Sequence, residues 1–121
     1  MGMFLRRGSV EKPVQTVDVI ISGDTNADYA YVEIDGTKYA ATGTYAILVG
    51  ATAIVHCYNA LGTSGDFVSK ITLNGTTVKT AENSKRMITY SFSLESSTSI
   101  AFSAKTLLGS TKNYSCEITT S

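Results

Sequence analysis

Two dipeptides, Asp35-Gly36 and Asn74-Gly75, constrain the fold of this chain more than any other feature. Each lies inside sequence in which apolar residues alternate with polar ones. Asp-Gly and Asn-Gly tolerate positive φ at both central positions of a two-residue turn, and the twist of that turn matches the twist of the strands it joins. The sequence therefore predicts two β-hairpins in a chain built from short antiparallel strands.

Further strands are predicted by period-2 alternation, which is clearest in residues 17–22, 88–94 and 114–118. The stretches 44–49 and 51–59 are predicted to form another strand pair, joined near Gly50. About eight or nine strands at short spacing, with no helical periodicity of useful length, are typical of a sandwich or a small barrel. We expect an all-β fold, a single immunoglobulin-like antiparallel β-sandwich.

Composition agrees with one globular β domain. The chain has 121 residues, of which 43% are hydrophobic and 31 are Ser or Thr, and β-branched Thr favours pleated surfaces. Ten basic residues balance ten acidic ones, so the composition predicts neither a nucleic-acid partner nor a membrane-surface partner. No apolar run approaches the length needed to span a bilayer.

The first fourteen residues differ from the rest, and we predict an N-terminal arm over 1–14 and a sandwich over 15–121. The arm has no clean period and does not resemble a secretory signal, because its apolar residues precede its arginines. It is either a frayed terminus, a first edge strand, or an element that docks on a neighbouring chain. The predicted docking residues are Phe4, Leu5, Arg6, Arg7 and Lys12.

Catalysis is disfavoured by the inventory of side chains. The one histidine, His56, is the sequence neighbour of Cys57, and neighbours on a strand point to opposite faces, so they cannot form a nucleophile–base pair. The carboxylates are scattered and lack an activating context. We predict no enzymatic activity, no catalytic residues and no cofactor.

A calcium loop is the one metal site that the spacing suggests. Asp24, Asn26 and Asp28 match its first three ligand positions, and Asp35 stands at the twelfth. Tyr29 replaces the glycine that makes the sharp bend, and Asp/Asn clusters are also normal turn residues. The favoured prediction is therefore no metal, with these four residues as the candidates if there is one.

The two cysteines, Cys57 and Cys116, both lie in apolar strand-like sequence. Their spacing would suit an inter-sheet disulfide of immunoglobulin type, although the tryptophan expected between them is missing. Without a secretory signal, two buried reduced thiols are the favoured prediction, and the disulfide stays open as the alternative.

Seven tyrosines raise a second functional possibility, a carbohydrate- or cell-surface-binding module with an aromatic platform. The competing interpretation is that Tyr31, Tyr39, Tyr90 and Tyr114 are half-buried sheet residues with hydrated hydroxyls.

The stretch Tyr31–Tyr39, followed by Gly50–Cys57, resembles PEGA-like and other bacterial immunoglobulin-like modules, in which a strand ending in V-x-I-D-G precedes two strands separated by a glycine. The later segments Ile71–Thr76, Thr89–Leu94 and Thr98–Phe102 are similar to endings of small immunoglobulin-like proteins encoded among phage structural genes. The chain departs from PEGA modules in lacking their Pro-Glu-Gly-Ala segment.

This resemblance implies a non-enzymatic bacteriophage virion protein, for example a capsid decoration, head–tail or tail-associated subunit. Its partners would be capsid, portal or tail subunits, and it would occur in multiple copies set by virion symmetry. It would be assembled in the cytoplasm of the host bacterium and reside in the virion.

Overall fold

The computed structural model describes residues 15–60, 68–82, 86–108 and 111–121, and none of these residues lies in a helix. The described ranges accordingly hold no helix long and apolar enough to cross a membrane. They contain ten strands: β1 (Thr16–Gly23), β2 (Ala30–Ile34), β3 (Thr37–Tyr39), β4 (Gly43–Leu48), β5 (Thr52–Asn59), β6 (Lys70–Leu73), β7 (Thr76–Thr80), β8 (Arg86–Ser93), β9 (Thr98–Leu108) and β10 (Thr111–Thr120).

The strands form two sheets that pack face to face, so the all-β sandwich is confirmed. The wide sheet has six strands in the order β4-β1-β9-β10-β6-β7, and the narrow sheet has four in the order β3-β2-β5-β8. The predicted arm, residues 1–14 with Phe4, Leu5, Arg6, Arg7 and Lys12, lies outside the described residues.

Both predicted hairpins are present. β2 pairs with β3 around Asp35-Gly36, and β6 pairs with β7 around Asn74-Gly75. The four turn residues all have positive φ, 48° and 86° in the first turn and 50° and 88° in the second. These are the values of a type I′ turn, which is why the local chemistry of the two dipeptides was sufficient to predict the pairing.

The predicted pairing of residues 44–49 with 51–59 is wrong. β4 pairs with β1 in the wide sheet, whereas β5 lies between β2 and β8 in the narrow sheet. The chain changes sheet at Gly50, whose φ is 90° and whose amide donates to the carbonyl of Leu94. A glycine between two strands therefore marks a corner between layers here, not a hairpin.

The expectation of a purely antiparallel fold is also corrected, since the wide sheet is mixed. β1 runs parallel to β9, and β6 runs parallel to β10, while the other neighbours are antiparallel. The paired strands are far apart in sequence, with excursions through the narrow sheet between them. Parallel neighbours require such long crossing connections.

The core lies between β10 and β5, the strands through which the two sheets contact each other most closely. Alternate residues of β5 and β10 are buried, including Val55 and Ile118, and each such side chain stabilises the fold by about 1.5–3 kcal/mol. The largest fully buried apolar side chains are Ile21, Ile71, Leu94, Ile100 and Ile118.

The wide sheet has two more strands than the narrow sheet, one on each side of the central β10–β5 pair. Beyond β10 the wide sheet has two more strands, β6 and β7, whereas beyond β5 the narrow sheet has only β8. On the other side, β9, β1 and β4 face only β2 and β3, with the rings of Tyr39 and Tyr45 in edge contact 4.8 Å apart. The wide sheet therefore has one more strand than the narrow sheet on each side, although its edge strands β4 and β7 still contact β3 and β8.

Candidate interaction surface

Large apolar side chains are exposed at one end of the wide sheet. In β1, Val19 and Ile21 point into the core and Ile20 points outward, with 43% of its surface exposed. Leu48, at the end of β4, is 57% exposed, and Val49 next to it is 39% exposed. We call Ile20, Leu48 and Val49 the β1–β4 surface.

The β1–β4 surface has two ends: Ile20 lies beside a shallow depression, and Leu48 and Val49, at the other end of the β1–β4 pair, lie beside Gln15. The depression has about 240 Å³ and is lined by Ile20 and the small side chains of strands β9 and β10, among them Ser99 and Thr119. The Val49 amide donates to the carbonyl of Gln15 over 3.1 Å. Gln15, the residue that follows the predicted arm, therefore lies beside Val49.

A second cluster lies on the outer face of the narrow sheet. The imidazole of His56 in β5 stacks on the ring of Tyr31 in β2, with centroids 4.4 Å apart and planes at 15°. From β3, Lys38 places its Nζ 4.4 Å from the centroid of the same ring and donates to the carbonyl of Ala27. The Tyr31 ring is thus held between a strand neighbour on each side.

The surroundings of His56 on balance favour its neutral form. Its Nε2 lies 3.4 Å from Oε1 of Glu33. Burial lowers the pKa of His56 below its ordinary value of 6.5, the Glu33 carboxylate opposes that shift, and Lys38 adds to it. Cys57 points into the core on the opposite face, as predicted for sequence neighbours on a strand.

A row of three tyrosines bridges the two sheets at one end of the sandwich. The Tyr29 ring stacks on Tyr58 at 5.1 Å and on Tyr114 at 6.0 Å. Tyr29 is 43% exposed and Tyr114 is buried. Burial raises the pKa of Tyr114, with contributions from Tyr29 and Asp24. Tyr31, Tyr39 and Tyr90 are half-buried sheet residues, as predicted, and Tyr114 is more deeply buried than predicted.

The four candidate calcium residues do not come together. Asp28 and Asp35 lie at opposite ends of β2, more than about 15 Å apart for a strand of that length. Asp24 accepts a hydrogen bond from the Ala104 amide, and Asn26 accepts from the amides of Asp28 and Tyr29. Their oxygens therefore hold the backbone of the loop.

Asp35 has a turn role of the same kind, since its carboxylate accepts from the Thr52 amide. Across the ranges that the structure describes, no three His, Cys, Asp or Glu side chains are grouped so that they could hold a metal ion.

The two cysteines face each other across the core. Cys57 belongs to β5 and Cys116 to β10, and both thiols are free and buried. A hydrogen bond with Cys57, together with burial, raises the pKa of Cys116 above its ordinary value. The favoured prediction of buried thiols is confirmed, but their contact with each other required knowledge of which strands face across the sheets.

No family model matches the chain, and neither the curated proteins nor the solved structures contain a match to it.

Proposed function

We propose that the chain is a non-enzymatic structural protein of a bacteriophage particle, a capsid decoration, head–tail or tail-associated subunit that acts through protein–protein contacts. The observation that carries the proposal is the β1–β4 surface beside Gln15, which joins exposed apolar side chains to an arm containing Phe4 and Leu5. The resemblance to small immunoglobulin-like proteins among phage structural genes supports the same assignment.

The energetics suit a subunit that is held by many weak contacts. Covering Leu48 and Val49 contributes about 1–2 kcal/mol each, because both are only partly exposed. Phe4 and Leu5 of the arm add similar amounts, and Arg6 and Arg7 can pair with carboxylates of a partner. Repetition by virion symmetry then converts modest contacts into stable attachment.

The test is incorporation into purified particles, followed by electron microscopy. Leu48→Asp places a charge on the β1–β4 surface, and Thr77→Asp places the same charge at the opposite edge of the wide sheet. We expect at least tenfold less of the Leu48→Asp chain in particles, a similar loss when residues 3–12 are deleted, and normal incorporation of Thr77→Asp. Absence of the wild-type chain from particles, or equal incorporation of all variants, contradicts the proposal.

A carbohydrate- or cell-surface-binding module is the second candidate, favoured by the exposed Tyr29 ring beside the polar side chains of Asn26 and Asp28. The Tyr31 ring offers less, since His56 and Lys38 already contact it. A glycan array separates the candidates: binding that is lost in Tyr29→Ala supports the module, and silence of the wild-type chain excludes the glycans tested.

A further inference from the structure

In the described parts of the chain, the narrow sheet ends at β8. Among the described strands, β8 pairs only with β5, so one edge of its eight residues has no neighbour in the sheet. In the facing layer, two strands, β6 and β7, lie beyond β10, and β7 contacts β8. One more strand beside β8 would give the two sheets the same number of strands on this side.

Several side chains next to that position are apolar and incompletely covered, although the groove beside them also has polar and charged residues. Tyr90 and Phe92 point to the core side of β8, because they lie opposite Val55 and Ala53, yet both are only partly buried. Their rings stack 5.9 Å apart. Val78 of β7 is half-buried as well and lines a groove of about 370 Å³ between β7 and β8.

β8 is also the longest of the four edge strands and lacks the usual protection, as does the six-residue edge strand β4. Natural edge strands are kept from pairing by shortness, charge, proline or bulges. β3 has only three residues, and β7 carries Lys79 next to a register shift in its pairing with β6. β8 has eight residues, with no charge or proline after Arg86.

We propose that the N-terminal arm of a second copy of this chain adds to β8 as an extra strand, with its apolar side chains over Val78, Tyr90 and Phe92. This inference rests on the docking role of the arm in the proposed function and names its receptor. The arm begins beside β4, on the side opposite to the groove, so each copy donates on one side and accepts on the other. Such head-to-tail contacts build rings or filaments.

The lengths fit this exchange. Fourteen extended residues span about 46 Å and the eight residues of β8 about 27 Å, which leaves about six residues to cross between molecules. A single extended segment has the required width.

The arm would be held by backbone hydrogen bonds and apolar contact, not by charge. The groove contains Lys79, Glu82 and Arg86, so it has no negative potential to attract Arg6 and Arg7. We therefore expect that added salt does not weaken the association.

The experiment measures the association of the full chain by sedimentation velocity from micromolar to millimolar concentration. Val78→Asp blocks the groove, Phe4→Asp/Leu5→Asp blocks the arm, and Thr77→Asp is the control on the exposed face of the same strand as Val78. We expect wild type and Thr77→Asp to form oligomers. Each blocked variant should be monomeric, with at least a tenfold weaker association.

Mixing the two blocked variants is the decisive step, because one retains an intact arm and the other an intact groove. We expect a heterodimer that grows no further. Three results overturn the proposal. The first is a wild-type chain that stays monomeric throughout, as it would if the arm folded onto its own molecule. The second is oligomers of the arm variant, as would form if β8 paired with β8, and the third is a mixture that does not associate.

Circular dichroism melting establishes that each variant is folded, and Val78→Thr, which keeps the shape of the side chain, replaces Val78→Asp if the aspartate variant unfolds. The two proposals fail separately. If the blocked variants behave in the mixing experiment as expected but the chain is absent from particles, only the virion function is refuted. Incorporation that survives Val78→Asp refutes only the exchange.

Discussion

The closed centre of the sandwich and its open β7–β8 side are built from the same alternating sequence but end in different states. At the centre, β5 and β10 cover each other, and Val55 and Ile118 are fully buried. On the open side, Phe92 and Val78 also point inward but are only partly buried. The difference arises from strand number, not from residue type, and it separates a region that supplies stability from a region available for binding.

Truncation of a core side chain should show the largest contrast. Ile118→Ala leaves a cavity between two covered layers, and we expect it to lower the free energy of unfolding by about 4 kcal/mol. Phe92→Ala removes more atoms, but those atoms are partly hydrated already, so we expect a loss of about 2 kcal/mol. Urea unfolding measures both, and a larger loss for Phe92→Ala would show that the open side is in fact covered.

Two glycines with almost the same φ sharpen the comparison. Gly23 and Gly75 have φ of 87° and 88°. A Cβ on Gly23 would lie 2.0 Å from the carbonyl oxygen of Phe102 in the adjacent strand, whereas a Cβ on Gly75 meets nothing within 4 Å. We expect Gly23→Ala to cost about 3 kcal/mol and Gly75→Ala about 1 kcal/mol. Equal losses in thermal unfolding would mean that β1 and β9 are less closely packed than described.

The thiols test whether the centre is closed to reagents. Cys57 and Cys116 are buried, and the pKa of Cys116 is raised, so little thiolate forms and access is blocked. We expect neither thiol to react with iodoacetamide in the native protein and both to react in urea. Rapid alkylation without denaturant, counted by mass spectrometry, would contradict a sealed centre.

His56 should give the smallest effect. Because its folded pKa is below 6.5, the unfolded chain takes up the proton first as the pH falls, so stability is complete above about 6.5 and declines below it. We expect a decline of less than about 1 kcal/mol, absent in His56→Gln. Glu33→Gln removes the opposing carboxylate, so its decline should be steeper. Unfolding curves at a series of pH values provide the measurement.

Local features of the fold could be predicted from the sequence, and long-range ones could not. The two hairpins depend on dipeptides that favour positive φ, and the strands around Val19, Ile88 and Cys116 depend on period-2 alternation. Neither signal says which sheet a strand joins. For that reason residues 44–49 and 51–59 were paired wrongly, and the parallel β1–β9 and β6–β10 pairs were not predicted.

For the candidate surfaces too, local features could be predicted from the sequence and long-range ones could not. Alternation predicts that Ile20 and Ile21 point to opposite faces of the sheet, but it does not say which face is buried. The exposure of Ile20 could be predicted only once the inward face of β1 was known. The stacking of His56 on Tyr31 needed the β2–β5 register, and the open position beside β8 needed the strand order of both sheets. The calcium candidates failed to converge because Asp35 and Asp28 are separated by a strand.

Hydrogen–deuterium exchange of the full chain, followed amide by amide at low and high protein concentration, tests the central claim most directly. The claim is that β8 is an edge open to a strand from another copy, while β5 is closed within its sheet. It predicts that amides of β8 gain protection as concentration rises and that amides of β5 remain equally protected throughout. Protection of β8 that is already complete at low concentration, or that never changes, would contradict it.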